Sequence, residues 1–285
     1  MATKLNIVVV GAGGKMGMRV SPNLQNIPEY TVSFVDSGEQ GRKNVEEAGR
    51  TLSEPADVLP TADVVVYAVP DKLLGKITEQ YVPLQKEDSV VLTLDPAAAY
   101  ANLLYMREGI TYVVCHPCHP SLFLERTTKE EWADTFGGQA AAQHVVAAMH
   151  TPSEKWQPIA EEVIANQFAP VIKVHWGSVH DLAVLEPTLA ETLGCMLGQF
   201  LRDAIDYTVE QTDMSTEMVE AMAYGHIWIA LTNGLRGSNP FSDACLLAMD
   251  YGRETVINPN WKDIFKDEDL DNVIAKMLGL EKIER

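Results

Sequence analysis

Three features of the sequence carry residue types that do chemistry. The hexapeptide Cys115-His116-Pro117-Cys118-His119-Pro120 sets two thiols and two imidazoles between prolines. Thiols and imidazoles so close together suggest zinc, but four ligands within five residues strain a tetrahedral site, which draws on separated pairs. A histidine at the end of a strand can instead serve as a base or a metal ligand, and here His116 ranks ahead of His119. The third reading is a rigid proline loop whose histidines only hydrogen-bond. Glu186, directly before Pro187 and after the apolar run Leu182–Leu185, is the second feature. A carboxylate there needs a partner if it is buried. Meeting an imidazole across a domain cleft, it would help hold a divalent ion, zinc or magnesium. Its plainer role is a solvated first-turn carboxylate favouring a helix N-terminus. Glu191 lies about 140° further round an ideal helix and shares no face with Glu186. His226 and Asn233 do share a face, and either can serve the cleft, the core or an interface.

The third feature is Gly11-Ala12-Gly13-Gly14-Lys15-Met16-Gly17, which follows the β-branched run Asn6–Val10 and precedes a helix over Met18–Leu24. A second apolar run, Tyr30–Val35, ends at Asp36, 19 residues beyond Gly17. Strand, glycine turn, helix, strand and acid are the order of a dinucleotide site. Glycines let the backbone approach a pyrophosphate, and the helix N-terminus offers free N–H groups. The expected cofactor contacts are therefore Gly11, Gly13, Gly14, Lys15, Met16, Gly17 and Asp36. Asp36 would accept from ribose hydroxyls and repel a 2′-phosphate, favouring NAD over NADP; Arg42 and Lys43 nearby weaken that preference. Met16 occupies the place of the third fingerprint glycine, and Gly17 comes one residue later.

These residues need a sheet to position them. Ala62–Val69 reads as a buried strand closed by Pro70-Asp71, and its end lies where open α/β sheets bind ligands. Val69 and Asp71 therefore join the cofactor candidates. Ser89–Leu94, ending at Asp95-Pro96, and Thr111–Cys115 are further strands, with helices expected over Leu73–Tyr81 and Ala97–Arg107. After a polar loop over 121–139 come a strand at Gln143–Met149, a helix at Ser153–Gln167 and a last strand at Val171–Val174. The pattern predicts an α/β, Rossmann-type doubly wound parallel sheet followed by a smaller all-α domain. The boundary near Gly177-Ser178 gives residues 1–177 to the NAD-binding domain and 178–285 to a helical substrate and dimerisation domain. Leu182, Leu185, Leu189, Leu193, Met196 and Phe200 recur at the spacing of one helix face. Further helices are expected at Ser215–Leu235, Phe241–Val256 and Leu270–Leu278.

The 285 residues suffice for two domains, and a net charge of −18 argues against nucleic acid or an anionic membrane as partner. No apolar run approaches the ~20 residues of a membrane span. Four cysteines, two of them in one loop, suit reduced thiols in the cytoplasm.

Taken together, the chain resembles the 6-phosphogluconate-dehydrogenase-like superfamily, in which a Rossmann domain precedes a helical domain that dimerises. The glycine turn and the His-Pro loop are also similar to those of prephenate dehydrogenases. The doubled Cys-His-Pro motif, with Leu185-Glu186-Pro187-Thr188 opening the helical domain, is most similar to NAD-dependent D-apionate oxidoisomerases. That resemblance implies oxidation of a small hydroxy acid at C2, then migration of a hydroxymethyl group assisted by a divalent metal. It implies His116 and Glu186 as metal ligands, with His119 or a bound water handling protons. No lysine lies near Glu186 to act as the proton shuttle of many 6-phosphogluconate-type enzymes. A metal-independent hydroxyacid or prephenate-type dehydrogenase, with His116 as base, is the alternative.

Overall fold

A computed structural model of the chain describes residues 4–284. Seven strands form one sheet: β1 Leu5–Val10, β2 Tyr30–Val35, β3 Val64–Tyr67, β4 Ser89–Thr93, β5 Ile110–Pro117, β6 Gln143–Met149 and β7 Val171–Gly177. Their order is β2-β1-β3-β4-β5-β6-β7. The first five are mutually parallel, β6 runs antiparallel to β5, and β7 is parallel to β6. The expected all-parallel sheet thus holds only through β5. The chain from β5 to β6 carries no crossover helix on the sheet face, so β6 returns in the opposite direction.

The helices of the first half are α1 Lys15–Gln25, α2 Glu39–Glu47, α3 Pro55–Val58, α4 Asp71–Tyr81, α5 Ala97–Tyr100, α6 Lys129–Ala133 and α7 Trp156–Gln167. Strand alternation divides the buried residues between two faces. Val9, Val66, Cys115 and Ala147 pack with Val20 and Leu24 of α1 and Val163 and Ile164 of α7. Val10, Val65, Val114 and Ala148 pack with Leu74 of α4, Ala98 of α5 and Leu182. Both faces are covered, and the strands read as continuous apolar runs for that reason.

The chain separates into two compact units, residues 1–187 with 270–285, and residues 188–269. The first unit thus runs past the expected boundary at 177 and takes back the C-terminal helix. Helix α8 (Val179–Ala183), capped by Ser178 and Asp181, buries Leu182 and Ala183 against the sheet unit. Helix α12 (Asp267–Leu278) turns Leu270, Ile274 and Leu278 onto Ala97, Tyr100 and Ala183, and Tyr100 donates to Asp271 at 2.9 Å.

After α8 the helix widens into a π-helical stretch, Val184–Cys195, before α9 (Met196–Glu210). Leu182 is buried, whereas Leu185 and Leu189 are exposed in this chain. The second unit also contains α10 (Thr216–Arg236) and α11 (Asp243–Val256). Ser215 caps α10 by accepting from Met218 N at 3.2 Å, and Gly237, at φ 63°, ends it in the left-handed conformation. Among the described residues, no helix is long and apolar enough to cross a membrane.

Candidate functional site

The strand order reverses between β1 and β3, which makes their carboxyl ends the switch point of the sheet. A crevice of about 530 Å³ opens there, lined by Gly11, Gly13, Gly14, Lys15, Asp36 and Val69 among others. Gly17 and Met16 sit behind it. A side-chain carbon at Gly17 would lie 2.1 Å from the Gly11 carbonyl oxygen, so its role is to let α1 pack on the turn. Met16 packs partly buried against the core. Asp71 does not line the crevice, and its carboxylate accepts from Ala98 N at 3.3 Å. Asp36 accepts from Gly13 N and Gly38 N, both at 2.9 Å. A carboxylate has about four acceptor positions, so two remain for hydroxyl donors.

The His-Pro loop resolves by alternation along β5. Cys115 points into one core face, where its thiol donates to Thr93 O at 3.5 Å and burial raises its pKa well above the ordinary value. His116 points to the opposite face. The hexapeptide therefore cannot gather its four ligands on one ion. Instead, donor atoms of Asp95, His116 and Glu186 all lie within 4.8 Å of one another, a span that one cation bridges. All three belong to the first unit, so the site does not wait on a meeting between domains. Glu186 is 7 % exposed at the start of the π-helical stretch, not a solvated carboxylate.

His116 Nδ1 stands 2.8 Å from Asp95 Oδ1 and 3.2 Å from the Leu94 carbonyl oxygen. Both are acceptors, so in the metal-free protein this nitrogen carries the proton. Burial lowers the His116 pKa, but the Asp95 hydrogen bond and charge, with Glu186, more than offset this and leave it raised. One imidazole and two carboxylates suit zinc, magnesium or manganese, and the carboxylates suit calcium as well. The donor set fits a divalent cation. The sequence marks Asp95 only as the end of a strand; a carboxylate closing β4 beside a histidine closing β5 is the signal that identifies it.

His119 lies on the next turn of chain, at φ 59°, in the left-handed region that histidine enters more readily than most residues. Its Nδ1 donates to Phe136 O at 2.8 Å, and its ring packs 4.4 Å from that of Phe136 and edge-on to His116 at 5.9 Å. Burial is the main cause that lowers the His119 pKa, and His116, Arg19 and Lys15 lower it further. The two histidines are thus driven apart, one toward holding a proton and one toward accepting it.

Asp134 organises the loop that supplies Phe136. Its carboxylate accepts from the backbone N–H groups of Gly137, Gln139, Ala140 and Ala141, and pairs with Arg19 at 2.7 Å. Arg19 and Lys15 both stand over the Phe136 ring, each 4.5 Å from its centroid.

The remaining candidates stay in the second unit. His226 turns Nδ1 to Met222 O on its own helix at 2.9 Å, and Asn233 O accepts the capping hydrogen bond from Gly237. Glu191 is exposed.

Residues 124–278 match the family described as phosphogluconate dehydrogenase (decarboxylating), C-terminal. The chain is 49 % identical to a D-apionate oxidoisomerase of Pectobacterium atrosepticum, over all of both chains. It is 38 % identical to a D-apionate oxidoisomerase of Blautia hydrogenotrophica, covering 98 % of each. Among solved structures it is similar to a semialdehyde dehydrogenase NAD-binding protein from Cupriavidus necator in complex with calcium and NAD. The TM-score is 0.92, with 35 % identity over 96 % of this chain and 99 % of that one.

Proposed function

The chain belongs to the D-apionate oxidoisomerase family, and from that premise we propose how its residues divide the work of an NAD-dependent oxidoreductase on D-apionate. The observation that carries the reading is the convergence of Asp95, at the carboxyl end of β4, His116, near the end of β5, and Glu186, with His119 beside them, in the same sheet whose β1 and β3 ends open the crevice.

The reaction has two parts. Oxidation at C2 removes one hydrogen as hydride and the hydroxyl hydrogen as a proton, leaving a 2-oxo acid. NAD, when bound, supplies the hydride acceptor. The hydroxymethyl carbon then moves from C3 to C2: its bond to C3 breaks as its bond to C2 forms. The C3 hydroxyl loses its proton and becomes the carbonyl, while the C2 oxygen gains one, giving 3-oxoisoapionate. The second part needs no oxidant.

His119, held neutral by burial, accepts the proton released in the oxidation. Asp95, His116 and Glu186 would hold a divalent cation, which supplies positive charge for the oxygens on C2 and C3. The Asp95–His116 hydrogen bond fixes the ring so that it does not turn away. The calcium and NAD of the Cupriavidus necator structure support a cation and NAD as the two partners here. The same Asp95–His116 bond favours the second reading, a metal-independent dehydrogenase with His116 as base. NADH formation with D-apionate, with and without a chelator, separates them. Turnover lost on chelation supports the cation site; turnover indifferent to the chelator assigns His116 as base.

We also propose a homodimer through the helical unit. Only Val219 of the 21 residues of α10 is buried, and its charged residues, Glu217, Glu220 and Arg236, sit toward its ends. A helix apolar on all sides is normally covered. Four free thiols support action in the reducing cytoplasm.

A further inference from the structure

We propose that Lys15 binds the carboxylate of the substrate and so selects acids over neutral sugars; this rests on the function proposed above. The side chains that gather at the cation site, Asp95 and Glu186, are themselves negative, and the chain carries a net charge of −18. The divalent cation proposed above would offset these two carboxylates locally, and an anionic substrate approaching a chain of this charge gains from a further fixed cation that receives it. Two cations stand near the histidines, Lys15 and Arg19, sharing the ring of Phe136. Arg19 is already paired with Asp134 at 2.7 Å. Lys15 has no ion-pair partner among the described residues.

Its placement suits the task. Lys15 opens α1 directly after the glycine turn and lines the crevice, so it borders the cofactor position. Its ammonium stands over Phe136, which also packs against the His119 ring at 4.4 Å. The same aromatic wall therefore carries the cation and the proton acceptor. A lysine, a compact charge on a flexible stem, can follow a carboxylate that an arginine clamped to Asp134 cannot reach.

The competing role is a contact to the cofactor pyrophosphate. Wild-type protein, Lys15→Met and Lys15→Arg would be compared in two assays: the KM for D-apionate at saturating NAD, and NADH affinity by fluorescence without substrate. Lys15→Met should raise the KM for D-apionate on the order of 10–100-fold, the range of one charged hydrogen bond. Because Lys15 also borders the crevice, NADH affinity can fall, but by less than the KM for D-apionate rises, and Lys15→Arg should recover part of the KM. The wild type should prefer D-apionate to D-apionamide, and the Lys15→Met variant should lose that preference. A weakened NADH affinity with an unchanged KM for D-apionate would overturn the proposal and give Lys15 to the pyrophosphate. Absence of wild-type turnover on D-apionate would overturn the proposed function itself, and this inference with it.

Discussion

His116 Nδ1–H donates a hydrogen bond to Asp95 Oδ1 at 2.8 Å, joining the ends of two neighbouring strands, β5 and β4. That bond holds a half-buried imidazole in one orientation toward Glu186. Asp95→Asn keeps the shape but removes the charge. The expected result is a divalent-cation affinity lower by about 10–100-fold, with NADH affinity unchanged, since Asp95 does not line the crevice. Titration of the apoprotein with calcium or manganese, read by calorimetry, checks this. An unchanged titration would remove Asp95 from the cation site.

Glu186 places a negative charge in a setting where only 7 % of the residue is exposed. Glu186→Gln retains the volume and removes the charge that faces His116. Turnover of D-apionate should fall by at least about 100-fold, the scale of losing an electrostatic group at a reacting centre. NADH binding should persist. Retained turnover would sink the role given to Glu186.

Asp134 predicts a pH dependence of stability. Burial raises its pKa, but the backbone N–H groups of Ala140, Ala141 and Gln139, with Arg19, outweigh this and leave it below the ordinary carboxylate range. A group with a depressed folded pKa stabilises fully above its unfolded pKa, about 3.9, and that stabilisation is lost as pH falls through the lower folded value. Asp134→Asn should therefore cost about 1–3 kcal/mol at neutral pH. The difference in Tm between the two proteins should hold down to about pH 5 and close below it. A gap that persists undiminished into acid would show that packing, not charge, sets the effect.

The residues that line the crevice are legible in the sequence because their signals are local. The β-branched run, the glycines and Asp36 each follow from backbone needs within one strand–turn–strand unit, and the crevice gathers six of the nine expected contacts. Asp71 stands outside the lining because a strand-end position does not say which way its side chain turns. Asp95 was passed over because its meaning lies in a neighbour 21 positions later, beside it only once β4 and β5 pair. The reversal of β6 and the return of α12 to the first unit depend on long-range packing, which periodicity cannot register. The π-helical stretch is not legible either, because no propensity of Val184–Cys195 announces it.

The second unit carries the last prediction. Met218, Met222 and Ile229 are 60 %, 63 % and 57 % exposed on α10, along a run from Ala221 to Leu235 without a charged side chain. Left in water, such a helix forfeits about 25 cal/mol for each Å² of apolar surface it could bury. A second copy of the same helix can supply the cover, because a twofold interface sets one patch against itself. Sedimentation of the wild type should give a dimer of a 31.4 kDa chain. Met222→Asp would bury a carboxylate in that contact, without a partner and against its own symmetry mate, at a cost of several kcal/mol. The variant should sediment as a monomer or aggregate, while Asp203→Asn, at an exposed position of α9, should leave the dimer intact. A wild type that is monomeric at micromolar concentration would refute the dimer, and the apolar face of α10 would need another cover.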